Sequence, residues 1–167
     1  MMIKRLCSVF ILMFLFAVNY GCATNLVVDQ KVPSEYVNQS NIKHFDFAYY
    51  PGIIMNVRLR SLLALKFNSK ITKINSKKTN KTIDLSILFY KVTIADRGAT
   101  LMAGVFVGNN SLYGKVIVYD CETKNVIGNY RVEVVKNYGG LSAFVDFEDK
   151  IAEEFTTQVL QKVTGAE

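Results

Sequence analysis

The sequence predicts an α+β domain: a mixed, mainly antiparallel sheet of about four to five strands packed by two helices, preceded by a signal peptide and a tether. Three patterns predict it. A two-residue period runs through Thr82–Ile94 and returns on both sides of Cys121–Asn125. Phe147, Ile151, Phe155, Val159 and Val163 recur every four residues, as one face of a helix does. Ahead of both, Lys4 and Arg5 lead an apolar run from Leu6 to Val18 that exits through small Gly21.

That opening has the parts of a secretory signal, assigned to residues 1–21. Its apolar run falls short of the about 20 residues a bilayer span needs, which favours export over a retained anchor. The remainder has the length of one domain. Of three cysteines, Cys7 lies in the signal and Cys22 at its end, so the body keeps Cys121 alone and has no internal disulfide framework. Cys121 is then either a buried small hydrophobe or an unpaired thiol. Net charge is +6, of which Lys4 and Arg5 supply two, leaving a mildly basic +4 for the mature part. Such a balance permits attraction to an anionic surface but lacks the basic density of a nucleic-acid binder.

Residues 22–41 carry Pro33 and little periodicity, and read as a tether to a domain at 42–167. Ile42 to Ala48 is the expected first strand, with Ile42, His44 and Asp46 opposing Lys43, Phe45 and Phe47. Pro51-Gly52 is a turn signal. Ile53–Phe67 mixes alternation with strong helix formers from Leu59 to Lys66, and is expected to be helical. The link from Lys66 to Lys81 holds Lys66, Lys70, Lys73, Lys77, Lys78 and Lys81 and no acid. It is either a basic finger for an anionic surface or a solvated connection. Thr82–Ile94 is apolar on both faces and belongs in the middle of a sheet. Gly98–Ser111 is small, apolar and glycine-punctuated: a strand between glycine turns, or an apolar loop for a membrane or partner. Leu112–Asp120 and Val126–Val135 form a hairpin. The last helix has Ser142 as candidate N-cap, Asp146, Glu148 and Asp149 in its first turn, Lys162 in its last and Gly165 as its stop.

Little in the chain suggests catalysis. His44 is the single histidine, so three zinc ligands of His or Cys cannot be gathered from it and Cys121. His44 and Asp46 share a strand face: they could hold an ion or orient an imidazole, or His44 is a partly buried histidine bonded to its neighbour, and no G-x-S-x-G elbow presents a serine to it. The carboxylates of Asp146, Glu148, Asp149, Glu153 and Glu154 read as a solvated helix face. Neither a phosphate-binding loop nor a dinucleotide fingerprint occurs in Gly98–Ser111. The expectation is a protein that is not an enzyme, with no cofactor, no metal and no nucleic acid partner.

Gly21-Cys22 resembles the lipobox of bacterial lipoproteins, with Asn19 and Tyr20 where the family usually has Leu and a small residue. The resemblance implies a diacylglyceryl thioether on Cys22, and Ala23 after it implies the periplasmic face of the outer membrane. Gly21-Cys22-Ala23 is also small-x-small, so cleavage after Ala23 would release a secreted effector or adhesin instead. Further on, Gly114–Val134 (GKVIVYDCETKNVIGNYRVEV) looks like the hairpin of small bacterial lipoproteins, with Lys124-Asn125 in place of the usual T-G turn. With the acidic-start helix, it is similar to single-domain accessory lipoproteins such as the penicillin-binding-protein activator LpoB and the curli-secretion lipoprotein CsgG. That resemblance covers about half of the mature chain and implies a non-catalytic module that binds an envelope partner.

Overall fold

A computed structural model describes residues 22–76, 80–94, 109–137 and 146–165. In chain order these are β1 (Cys22–Gln30), β2 (Ser40–Tyr49), α1 (Val57–Ile74), β3 (Lys81–Thr93), β4 (Asn109–Asp120), β5 (Val126–Asn137) and α2 (Phe147–Thr164). The five strands form one sheet in the order β1-β5-β4-β3-β2. β2 and β3 are parallel and bridged by α1, while the other three pairings are antiparallel. The expected α+β class holds.

Both helices cover one face of the sheet. Ile83, Leu85, Ile87 and Phe89 of β3, Val116 and Val118 of β4, and Val132 and Val134 of β5 are buried against them. α1 contributes Leu59, Leu63, Phe67 and Ile71, and α2 its whole four-residue stripe from Phe147 to Val163. Phenylalanines knit the layers: Phe67 stacks on Phe45 at 5.4 Å, and Phe89 lies 5.3 Å from Phe155 and 5.6 Å from Phe47. Each such side chain removed from water is worth about 1.5–3 kcal/mol, so this layer is the main stabilising element.

Four local expectations are corrected. The stretch read as a tether is largely built into the fold. Residues 22–30 are edge strand β1, Val32 is buried and donates its N–H to Tyr130 Oη at 2.7 Å, and the chain then crosses to the opposite edge at Ser40. In β2, a bulge between Ile42 and His44 shifts the alternation, so Ile42 joins Phe45 and Phe47 on the helix side and Lys43 is exposed. Asn75 just past α1 holds that bulge, accepting from Ile42 N–H at 2.9 Å and donating to Ile42 C=O at 2.7 Å. α1 runs seven residues past Phe67, because Phe67 and Ile71 continue the buried spacing of Leu59 and Leu63 and its lysines are good helix formers. Finally, α2 is capped by Asp146, whose side chain accepts from Asp149 N–H; the candidate cap Ser142 lies outside the described residues. Gly165 ends α2 as expected, in the left-handed conformation at φ +70°.

Candidate functional site

Register places several chain points at one end of the sheet. Cys22 pairs with Lys136, Asn109 with Asn137, Thr93 with Ser111, and Tyr49 with Phe89. Cys22 is the first residue of β1, so the expected anchor residue stands at this end, at one edge of the sheet. Both helices also begin here. Asn56 caps α1 by accepting from Leu59 N–H at 2.7 Å, and its amide donates to Glu148 Oε1 of α2 at 2.6 Å. Arg58 bonds Asp146 and reaches Glu148 Oε2 at 3.1 Å. α1 has no acid in its own first turn, and these α2 carboxylates serve both positive helix ends.

The β2–α1 connection lies at the same end, at the other edge. Tyr50-Pro51-Gly52-Ile53 closes as a tight turn, with Ile53 N–H on Tyr50 C=O at 3.0 Å and Gly52 at φ +84°. Proline presets the second position and glycine alone tolerates the third. Behind the turn, Tyr50 is 58% exposed, Ile54 89% and Val57 81%. Val57 precedes the buried Leu59 by two residues and so points away from the core. Periodicity does not mark these residues; the only cue is the apolar run after Pro51-Gly52, which reads equally well as core. The Gly98–Ser111 candidate lies outside the described residues except for Asn109–Ser111 at the start of β4.

Of the six lysines of the basic link, the described Lys66, Lys70 and Lys81 are each paired with a carboxylate. Lys66 meets Asp149 at 2.8 Å and Glu153 at 3.2 Å, and Lys70 meets Glu153 at 2.6 Å and Thr157 Oγ1 at 2.9 Å. Asp149 raises the Lys66 ammonium pKa, and Lys70 and then Lys66 hold the Glu153 carboxyl low against its partial burial. The acidic face of α2, expected to be solvated, is thus bonded to α1, and Glu148 is buried outright. Lys81 pairs with Glu35 at 3.0 Å and lies 4.1 Å above the Tyr36 ring. Lys73 is exposed in the last turn of α1, at the end of the fold away from Cys22; Lys77 and Lys78 lie outside the described residues.

That far end is organised by Asp120 in the β4–β5 turn. Its Oδ1 accepts from Glu122 N–H, Thr123 N–H and Thr123 Oγ1 at 2.7–3.0 Å, and its Oδ2 accepts from Tyr36 Oη at 2.7 Å. The Thr123 N–H and the Tyr36 hydroxyl hold the Asp120 carboxyl down at about 2, and the same bond to Asp120 pushes the Tyr36 phenol up to about 12. Asp120-Cys121-Glu122-Thr123 is therefore a locked turn.

His44 and Asp46 lie exposed on the sheet face away from the helices, opposite Asp84 and Ser86, and Ser86 Oγ donates to Asp46 Oδ2 at 3.1 Å. Cys121 is half-buried, and its thiol pKa is raised by burial and then by the neighbouring Asp84 carboxylate, the reverse of an activated nucleophile. Among the described residues no group of three or more His, Cys, Asp or Glu is placed to hold a metal ion, and no helix is long and apolar enough to cross a membrane.

No protein-family model and no curated protein sequence matches the chain. Among solved structures it is similar to a variant PelC dodecamer from Paraburkholderia phytofirmans, with TM-score 0.48 and 9% identity over 85% of this chain and 98% of that one. A second PelC dodecamer from the same organism gives TM-score 0.46 and 8% identity over 88% and 100%. A Caulobacter crescentus protein described as a "putative lipoprotein" gives TM-score 0.38 and 13% identity over 71% and 86%. At such scores these likenesses carry no conclusion about what this chain binds or does.

Proposed function

We propose that this chain is a lipid-anchored accessory module of the bacterial envelope. Cys22 carries the lipid at the periplasmic face of the outer membrane, and the α+β domain binds or scaffolds an envelope partner without catalysing a reaction. The observation that carries the reading is the position of Cys22: it directly follows the run read from the sequence as an export signal, and in the described residues it begins β1. Signal removal ahead of Cys22 would keep the pairs Cys22↔Lys136 and Ala23↔Val135, whereas cleavage after Ala23 would strip both. An exposed His44 and an unactivated Cys121 support a non-catalytic role.

The test is a Cys22→Ala variant expressed in its native host. Metabolic acyl label should disappear and the protein should leave the membrane fraction. Label that persists on the variant would remove the assignment of Cys22. The second reading, a freely secreted effector or adhesin, is favoured by the small-x-small run Gly21-Cys22-Ala23 and expects wild-type protein in the medium without label.

A further inference from the structure

Ile54 and Val57 are the two most exposed of the large apolar side chains among the described residues. The core does not account for them. They sit behind a turn fixed by Pro51 and Gly52, on the end of the sheet that carries Cys22. We propose that this end is a membrane-seating surface, with Tyr50, Ile54 and Val57 entering the interfacial layer of a lipid bilayer beside the anchor. The proposal rests on the reading of Cys22 as the lipidated residue.

The occupant follows from the chain path. Cys22, Ala23 and Thr24 are already in register with Lys136, Val135 and Val134, so no slack separates an acylated Cys22 from the sheet. Each extended residue spans only about 3.3 Å, which holds this end of the domain at the headgroups. β1 and β2 are the two edges of the sheet. Four strand spacings, roughly 19 Å, therefore separate the anchor from the apolar turn. Contact at both edges would fix the tilt of the domain, which a lipid at one edge leaves open. Apolar side chains at such a surface enter about 5–10 Å into the headgroup and acyl boundary.

Charge agrees with a bilayer rather than opposing it. Of the acids at the start of α2, Asp146 and Glu148 are bonded by Arg58 and Asp149 by Lys66. Arg60 is exposed with its guanidinium 5.8 Å over the Tyr49 ring, and Lys91 is exposed 4.9 Å over Tyr113, both near this end. Cations seated beside aromatic rings suit the interface between phosphates and acyl chains. The turn is also preset by proline, so insertion would freeze little additional backbone.

The chain has no tryptophan, so one introduced residue reports alone. Full-length mature protein with Ile54→Trp, and separately with Val126→Trp at the far end, is placed in phosphatidylethanolamine–phosphatidylglycerol vesicles doped with brominated phosphatidylcholine. Both positions are exposed, so neither substitution challenges the core. The acyl state of Cys22 is read by intact mass on the same samples. The proposal expects a blue-shifted emission that brominated lipid largely quenches for Ile54→Trp, and neither change for Val126→Trp. Acylated protein in which Ile54→Trp emits as in water, or in which both positions quench alike, overturns the seating while leaving the anchor in place. An unmodified Cys22 overturns both.

Discussion

The ring of Phe155 on α2 lies so close over Gly114 of β4 that a Cβ at position 114 would stand 2.6 Å from Phe155 Cζ. This contact brings the helix down onto the middle of the sheet, where Phe155 also meets Phe89. Gly114→Ala should therefore destabilise by about 1–3 kcal/mol through overpacking, although alanine suits a strand interior better than glycine does. Phe155→Ala should cost more, about 3–5 kcal/mol, by emptying the same place. Urea unfolding of both variants and of Gly114→Ala with Phe155→Leu checks this. The double variant should recover part of the loss, and strict additivity would rule out the contact as the cause.

The bond between Tyr36 and Asp120 should make stability fall at both ends of the pH scale. Asp120 is held at about 2 against an ordinary 3.8, so its contribution is whole above about pH 4 and is lost as pH falls through about 2. Tyr36 is raised from 10.0 to about 12, so its contribution is whole below about pH 10 and is lost as pH rises through about 12. Thermal midpoints of wild type and Tyr36→Phe, measured across pH, should converge at high pH and differ most near neutrality. Curves that stay parallel above pH 10 would show that the phenol is not so held.

Between the helices, Lys66 and Lys70 face Asp149 and Glu153 in a partly exposed ladder. A double-mutant cycle on Lys70 and Glu153 should give a coupling of at most about 1 kcal/mol, shrinking with added salt. The same geometry bears on membranes. Lys73 lies roughly 24 Å along α1 from Val57, away from the Cys22 end. Replacing Lys66, Lys70 and Lys73 with Ser should leave the acylated protein's binding to anionic vesicles unchanged. A marked loss of binding would return the basic link to the role of an anionic-surface contact.

Cys121 should react slowly. With its thiol raised by burial and by Asp84, alkylation at neutral pH should be far slower in the folded protein than in urea, and should accelerate with pH. Folded and unfolded rates that agree would show the thiol to be open and ordinary.

How much of this was legible in the sequence depended on whether a residue obeyed a period. The α2 stripe and the β3 alternation were readable because burial repeats every four and every two residues. β1 was not, since an edge strand with Val27 and Val28 exposed and Leu26 packed on the core leaves no alternation. The α1 extension was written in Phe67 and Ile71 but masked by Lys66 beside the first and Lys70 beside the second. Those lysines looked solvated because their partners, Asp149 and Glu153, lie more than eighty residues away on a second helix. Tyr50, Ile54 and Val57 are legible only against the fold, because exposure of an apolar residue is a tertiary fact. Cys22 was marked by its neighbours, but its place at the sheet end needed the β1–β5 register.

Whether Cys22 joins the domain to a membrane is read from the intact mass of the mature amino terminus, on protein purified from its native membrane fraction. A lipidated Cys22 gives a chain beginning at Cys22 with a diacyl or triacyl addition. An unmodified chain beginning at Thr24 would contradict it.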